Sequence, residues 1–171
     1  LDAQGKRLGL PVSELLGGRV RDALPVAWTL ASGDTAKDIA EAEKMLDLRR
    51  HRIFKLKIGA GEVNRDLAHV IAIKKALGDR ASVRVDVNQG WDESQAIRAC
   101  RVLGDNGIDL IEQPISRINR GGQVRLNQRS PAPIMADESI ESVEDAFSLA
   151  ADGAASIFAL KIAKNGGPRA V

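Results

Sequence analysis

Three acidic residues recur at almost the same interval, each at the end of a short apolar run typical of a β-strand. Asp86 ends Ser-Val-Arg-Val-Asp, Glu112 ends Ile-Asp-Leu-Ile-Glu, and Asp137 follows Ile-Met-Ala. They lie 26 and 25 residues apart, the length of one strand, one helix and two short loops. Lys57 precedes this series and Lys161 follows it at similar spacing. Such a repeated unit strongly constrains the fold, because it lays successive strands side by side and parallel.

Six short runs rich in Val or Ile read as strands of a sheet that is covered on both faces. The predicted strands are Pro25–Ala31, Ile53–Ile58, Ser82–Val87, Asp109–Glu112, Ile134–Ala136 and Ser156–Ile162. Helical patterns alternate with them, several opening on a capping sequence. The predicted helices are Thr35–Arg50, Glu62–Leu77, Asp92–Leu103, Gln123–Gln128 and one that runs from Ser142 to about Gly153.

Strands that alternate with helices predict an α/β fold with a parallel sheet, either a (β/α) barrel of TIM type or an open doubly wound sheet. An open sheet gathers its active residues where the strand order reverses. Here successive strands each end in a polar residue, as in a barrel whose site lies at the strand C-termini. We therefore expect an incomplete TIM-type barrel of about six βα units.

Both ends of the sequence look cut, because it starts without methionine and ends in Gly-Pro-Arg-Ala-Val. We expect residues 1–24 to form a segment that leads into the barrel and residues 25–171 to form the partial barrel. Two more strands are expected beyond Val171, because six do not close an eight-stranded barrel.

The composition excludes several classes of partner. The net charge is +2 and the charges are interspersed, which does not favour nucleic acid. No apolar run approaches the length of a membrane span and no signal peptide is visible. The single cysteine, Cys100, cannot form an internal disulfide, which fits a reducing compartment.

Side chains alternate along a strand, so the polar residues should share one face. Arg84, Asp86 and Asn88 alternate with three valines, and Lys55 and Lys57 alternate with apolar residues. These polar faces should point into the barrel, where charge is costly unless it is paired.

Three carboxylates that converge there would repel each other unless a cation lay between them. Oxygen ligands of this kind suit Mg²⁺ or Mn²⁺. Such a metal can stabilise an oxyanion such as the enolate of a carboxylate substrate.

The lysines on either side of the acidic series are candidates for proton transfer. Lys57 must be partly neutral to act as a base, and the like charge of Lys55 should lower the pKa of Lys57. Lys161 should face the opposite side of a substrate. One acidic residue at a strand end is usually a turn former, but three with flanking lysines favour a functional site.

Five short motifs together resemble the muconate-lactonizing subgroup of the enolase superfamily. They are Lys55-Leu-Lys57, Asp86-Val-Asn88, Glu112-Gln-Pro114, Asp137-Glu-Ser139 and Lys161-Ile-Ala-Lys-Asn-Gly-Gly167. The resemblance extends over essentially the whole chain and is closest to bacterial members that act on muconate. Those proteins also carry an N-terminal α+β capping domain, which we expect to be missing here together with the last strands.

The resemblance implies that Asp86, Glu112 and Asp137 bind Mn²⁺ or Mg²⁺, with Asn88 and Glu138 beside the metal or the substrate. The implied enzyme is an isomerase, an intramolecular lyase that interconverts cis,cis-muconate and muconolactone through a metal-stabilised enolate in catechol catabolism. Its substrate is thus a small dicarboxylate, and its members are usually cytoplasmic homo-oligomers, often octamers.

The resemblance also implies roles for three lysines. Lys57 would transfer the proton at the carbon next to the metal-bound carboxylate, Lys161 would act as an electrostatic or auxiliary group on the opposite face, and Lys55 would tune Lys57.

Other functions fit the same residues. Chloromuconate cycloisomerase, dipeptide epimerase and o-succinylbenzoate synthase share this layout of lysines and carboxylates. A βα scaffold that has lost activity and kept the fold is the non-enzyme reading.

Overall fold

The computed structural model describes residues 1–169, in which six strands alternate with helices. The strands are β1 (Trp28–Leu30), β2 (Ile53–Lys57), β3 (Ser82–Asp86), β4 (Leu110–Glu112), β5 (Ile134–Ala136) and β6 (Ile157–Phe158). The helices are α1 (Asp2–Leu8), α2 (Val12–Leu15), α3 (Thr35–Asp47), α4 (Val63–Leu77), α5 (Glu93–Asp105), α6 (Arg120–Arg129) and α7 (Val143–Asp152), with a 3₁₀ turn at Gly78–Arg80. All six predicted strands are therefore present.

The strands form one parallel sheet in the order β1-β2-β3-β4-β5-β6. This order follows the chain without a reversal, so the described sheet has no switch point of the kind that defines a doubly wound fold. It is the strand order of a TIM-type barrel. Ala170 and Val171, the last two residues of the predicted barrel portion, lie outside the described residues.

The alternation predicted for β2 and β3 is confirmed by burial. Phe54 and Leu56 of β2 and Val83 and Val85 of β3 are almost completely inaccessible to solvent. They belong to one apolar core with residues of the covering helices, such as Ile73 of α4. The opposite face of each strand carries the polar residues, so the strands direct their charged side chains away from this core.

Helix starts agree with the capping patterns, with one exception. Asp92 and Gln95 form the reciprocal capping box at the start of α5, and the Ser142 side chain caps α7. The helix predicted over Thr35–Arg50 starts at Thr35, but its cap is the preceding residue Asp34, whose carboxylate accepts the Ala36 and Lys37 N–H groups.

Helix ends were predicted less well. Helix α5 runs to Asp105, beyond the predicted end at Leu103, because the backbone N–H groups of Asn106 and Gly107 continue to bond to carbonyls of the last turn. Helix α6 starts earlier than predicted, at Arg120, since the Asn119 side chain caps it by accepting the Gly122 N–H.

The two outer strands are shorter than predicted. Within residues 1–169, β1 and β6 each have a ladder partner on one side only, so few hydrogen bonds extend them. After β6 the chain turns, because the N–H groups of Lys164 and Asn165 both bond to the Lys161 carbonyl. The prediction that Lys161 lies within a strand is therefore wrong, and Leu160 and Ile162 beside it are exposed.

Among the described residues, none of the helices combines the length and the apolar character needed to cross a bilayer.

We expect Cys100 to resist thiol reagents as long as α5 stays packed on the sheet. Its side chain is buried, and burial raises the pKa of the Cys100 thiol to about 12, so the reactive thiolate is scarce. Ellman's reagent added to the 171-residue chain in neutral buffer should label this single cysteine slowly, and promptly in concentrated guanidinium chloride. Prompt labelling without denaturant would contradict the packing of α5.

Candidate active site

The ladder register brings Lys57, Asp86 and Glu112 into one row at the C-terminal ends of β2, β3 and β4. Lys57 pairs with Asp86, and Asp86 pairs with Glu112. Asp137 immediately follows β5, two residues beyond Met135, the ladder partner of Glu112. Adjacent parallel strands thus carry the three predicted acidic residues to one edge of the sheet.

All three carboxylates are buried, with Asp86, Glu112 and Asp137 each only 2% exposed. Carboxylates that are buried close together disfavour one another's ionisation. Burial raises the pKa of Glu112, and the neighbouring charges of Asp86 and Asp137 act in the same direction. The site therefore requires compensating positive charge.

Lys55 supplies part of that charge. Its Nζ lies 2.8 Å from Asp86 Oδ2 and 2.6 Å from Glu112 Oε2, so one ammonium bridges two carboxylates. Burial alone would lower the pKa of Lys55, but the hydrogen bonds to Asp86 and Glu112 outweigh burial and raise it. In this arrangement Lys55 interacts with the carboxylates directly, and its tuning of Lys57 stays a prediction.

Two further lysines hold Asp137. Lys161 Nζ donates to Asp137 Oδ2 at 2.5 Å, and Lys164 Nζ donates to Asp137 Oδ1 at 3.1 Å and to its backbone carbonyl at 2.8 Å. Burial opposes ionisation of Asp137, but the hydrogen bonds from both lysines lower its pKa. Lys161 thus reaches the site from a turn rather than from a strand.

Lys57 is the most accessible of the three predicted catalytic lysines. Its side chain is 57% exposed, and its Nζ lies 3.9 Å from Asp86 Oδ2. It donates to Asn88 Oδ1 at 3.3 Å, and Asn88 Nδ2 donates to Glu138 Oε1 at 3.1 Å. Glu138 Oε2 is buried without a hydrogen-bond partner in the described part of the chain. The predicted residues Asn88 and Glu138 therefore link the Lys57 side of the site to the Asp137 side.

The donor set fits a divalent metal by its chemistry. Three buried carboxylates from neighbouring strands offer hard oxygen ligands, and the ammonium bridging Asp86 and Glu112 marks a position that favours a cation. Within residues 1–169, no three His, Cys, Asp or Glu side chains are close enough to coordinate one metal ion. The three carboxylates form ion pairs with lysines. A divalent ion bound beside these lysines would use Asp86, Glu112 and Asp137 as its ligands.

A cavity of about 430 Å³ opens above the ends of β3 to β6. Asp137, Glu138 and Lys161 line it together with Arg117 and Glu141, which form an ion pair at its rim. Neither Lys164 nor this rim pair carries a role in the prediction made from the sequence. The pair could not have been found from spacing, because it joins two loops whose positions depend on the fold.

The backbone at the site adopts conformations that non-glycine residues seldom use. Of the four such residues with positive φ in the described chain, three lie at the ends of β3 and β4, namely Asn88 (47°), Gln89 (67°) and Gln113 (36°). Strained backbone of this kind clusters at functional sites, where surrounding contacts maintain it.

Two glycines bring the loops after β2 and β3 into direct backbone contact. A Cβ on Gly90 would lie 2.4 Å from the Gly59 carbonyl oxygen, and a Cβ on Gly59 would lie 2.7 Å from Val87. The two loops that follow Lys57 and Asp86 are therefore packed without intervening side chains.

We expect Gly90→Ala to lower the free energy of unfolding by about 1–3 kcal/mol, the usual cost of overpacking, because the obstructing atoms are backbone. Urea unfolding monitored by circular dichroism measures this. Gly121→Ala is the matched control, since its Cβ meets only the flexible Arg125 guanidinium within helix α6 and should stabilise by about 0.5–1 kcal/mol. Equal effects of the two substitutions would contradict the close packing of the loops.

Comparison with known proteins places this geometry in a family. The sequence profile described as enolase C-terminal domain-like matches residues 37–171. The chain belongs to the enolase C-terminal domain-like family. Membership of this family together with the relatives below implies a divalent metal, in agreement with the donor set.

One relative is muconate cycloisomerase 1 of Pseudomonas putida, which is 88% identical over all 171 residues of this chain. The match covers 46% of the length of that protein. Chloromuconate cycloisomerase of Pseudomonas sp. strain P51 is 49% identical over 97% of this chain and 45% of that protein. The chain thus spans about half the length of the curated relatives it matches.

Solved structures agree with the barrel assignment. The crystal structure of muconate lactonizing enzyme from Pseudomonas fluorescens complexed with muconolactone is 89% identical, with a TM-score of 0.97 over 99% of this chain and 46% of that chain. The Klebsiella pneumoniae muconate lactonizing enzyme is 57% identical, with a TM-score of 0.93. The predicted fold, part of a TIM-type barrel, is confirmed.

Proposed function

We propose that this chain supplies the catalytic strand ends of an isomerase that interconverts cis,cis-muconate and muconolactone. The observation that carries the proposal is the set of three buried carboxylates at the ends of β3, β4 and β5, held among lysines. The identity of 88% to muconate cycloisomerase 1 over the whole chain supports the substrate.

The lysines take different roles in this proposal. Lys57 transfers the proton at the substrate carbon next to a carboxylate, because it is the more exposed lysine of β2 and keeps only a long contact to Asp86. Lys161 approaches from the side of Asp137 and stabilises negative charge on the opposite face. Lys55 neutralises Asp86 and Glu112, and Asn88 orients the Lys57 ammonium.

Asp86, Glu112 and Asp137 would hold Mn²⁺ or Mg²⁺. When bound, such an ion supplies positive charge that stabilises developing negative charge on a substrate carboxylate. The dicarboxylate substrate would lie in the cavity bordered by Asp137, Glu138 and Lys161.

Further parts of the proposal concern the whole protein. We infer a division at residue 25, between a segment that leads into the barrel and the barrel portion, since α1 and α2 lie before β1. A cytoplasmic homo-oligomer, octameric by resemblance, also stays a proposal.

The test is a chimera in which these 171 residues replace the matching 46% of P. putida muconate cycloisomerase 1. We expect Mn²⁺-dependent lactonization of cis,cis-muconate, with weaker activity on chloromuconate and none on a dipeptide. Lactonization is followed by the loss of muconate absorbance. A folded chimera that binds Mn²⁺ and does not lactonize muconate would contradict the substrate. One that neither binds Mn²⁺ nor turns over would favour an inert scaffold.

A further inference from the structure

Gln113, the residue after Glu112, is buried and has every polar atom of its side chain engaged. It is 2% exposed. Its Oε1 accepts the backbone N–H groups of Asp137 at 2.9 Å and Ser139 at 3.1 Å. Its Nε2 donates to the Ile115 carbonyl at 3.0 Å and to Ser139 Oγ at 2.9 Å. A primary amide offers two donors and an acceptor oxygen with two lone pairs, and all four are used here.

These bonds connect the turn that carries Asp137 to the end of the neighbouring strand. The ladder between β4 and β5 pairs Glu112 with Met135, and the Gln113 N–H extends it to the Met135 carbonyl at 2.8 Å. Asp137 and Ser139 lie beyond the last residue of β5. Their N–H groups have no partner in the β-ladder, and both donate to the Gln113 side-chain oxygen instead.

The backbone of Gln113 is itself constrained. Its φ of 36° is unusual for a residue with a side chain. Such a conformation persists where surrounding contacts outweigh its cost. The contacts that do so here are the four side-chain hydrogen bonds, three of which also hold the Asp137 turn.

We propose that Gln113 is a positioning residue that fixes Asp137 relative to Glu112 and thereby sets the affinity of the site for a divalent cation. This inference rests on the proposed function, because it takes Asp137 and Glu112 as ligands of the same ion. Gln113 contacts neither the ion nor the substrate in this proposal, and acts through the backbone N–H groups of Asp137 and Ser139.

The experiment measures Mn²⁺ binding to the chimera by electron paramagnetic resonance, at protein concentrations where circular dichroism confirms folding. Gln113→Met removes all four bonds at similar volume and should raise the Mn²⁺ dissociation constant by about 10- to 100-fold, the usual effect of losing an outer partner of a metal ligand. Gln113→Glu keeps the acceptor oxygen and should raise the Mn²⁺ dissociation constant less. Saturating Mn²⁺ should largely restore lactonization in Gln113→Met.

Asn127→Leu is the matched control. Asn127 also joins two elements through its amide, donating to the Gly153 carbonyl at 3.0 Å and accepting from Ser156 Oγ at 2.8 Å, but at the opposite end of the sheet, before β6. The Asn127→Leu substitution should lower the melting temperature of the chimera without changing its Mn²⁺ dissociation constant. A purely structural role for Gln113 predicts the same result for Gln113→Met, and that result would overturn the inference.

The outcomes separate this inference from the proposed function. Failure of the unsubstituted chimera to bind Mn²⁺ would overturn the proposed function, and the inference with it. Normal binding by both the unsubstituted chimera and Gln113→Met would overturn the inference alone. If Gln113→Met does not fold, Gln113→Asn decides, because its amide is one methylene shorter and cannot reach both N–H groups: weaker Mn²⁺ binding than in the unsubstituted chimera supports the inference, and an equal constant refutes it.

Discussion

Replacing Lys57 with alanine in the chimera is expected to lower lactonization of cis,cis-muconate by about 10²- to 10⁴-fold, the range associated with loss of a positioned acid–base group. Lys57 lies 3.9 Å from Asp86 and bonds to Asn88, so its removal leaves the bridge from Lys55 to Asp86 and Glu112 intact. Mn²⁺ affinity should therefore change little. Steady-state kinetics at saturating Mn²⁺, together with a metal titration, measure both quantities.

Lys75→Ala is the control for Lys57→Ala. Lys75 is exposed on α4, and its loss should leave turnover and Mn²⁺ affinity unchanged. An unaltered rate in Lys57→Ala would show that another group transfers the proton. A large loss of Mn²⁺ binding in the same variant would instead assign Lys57 to the integrity of the metal site.

Glu112→Gln should have its main effect on metal binding, weakening it by on the order of 100-fold or more, since even outer partners of a ligand typically contribute 10- to 100-fold. Glu112 lies centrally among the three acidic residues, flanked by Asp86 on β3 and followed by Asp137 after β5. The amide keeps the size of the side chain and removes its charge. A Mn²⁺ titration measures the affinity, and turnover should recover in part at high Mn²⁺.

Glu43→Gln serves as its control. Glu43 pairs with Arg80, which precedes β3 and so lies at the end of the sheet remote from the carboxylates. This substitution removes an exposed ion pair and should not alter Mn²⁺ affinity. Equal affinity in Glu112→Gln and the unsubstituted chimera would remove Glu112 from the set of ligands.

The central strands could be predicted because their residues satisfy two requirements at once. Val83 and Val85 had to face the helices, and the alternation then placed Asp86 on the opposite face, as the structure confirms. Regular spacing aligned Asp86 with Glu112, and the ladder pairs these residues directly. Periodicity therefore predicted both the sheet and the edge where the acidic residues meet.

Features that depend on turns and on side-chain rotamers could not be predicted in this way. The turn after β6 is set by bonds to the Lys161 carbonyl and by the Asn165 side chain, which accepts the Lys161 N–H. Nothing in the apolar pattern around Lys161 distinguishes that turn from a longer strand. Three of the four bonds of Gln113 were likewise hidden, because they join residues 24 and 26 positions apart in the chain.

The contact between Gly59 and Gly90 limits which positions at this edge of the sheet can vary. When the loops after β2 and β3 are randomised, few variants that replace Gly59 or Gly90 should fold. Arg117 and Glu141, in contrast, are partly exposed and contact each other through their side chains alone. Sequence variation at this edge of the sheet should therefore be accepted at Arg117 and Glu141 and rejected at Gly59 and Gly90.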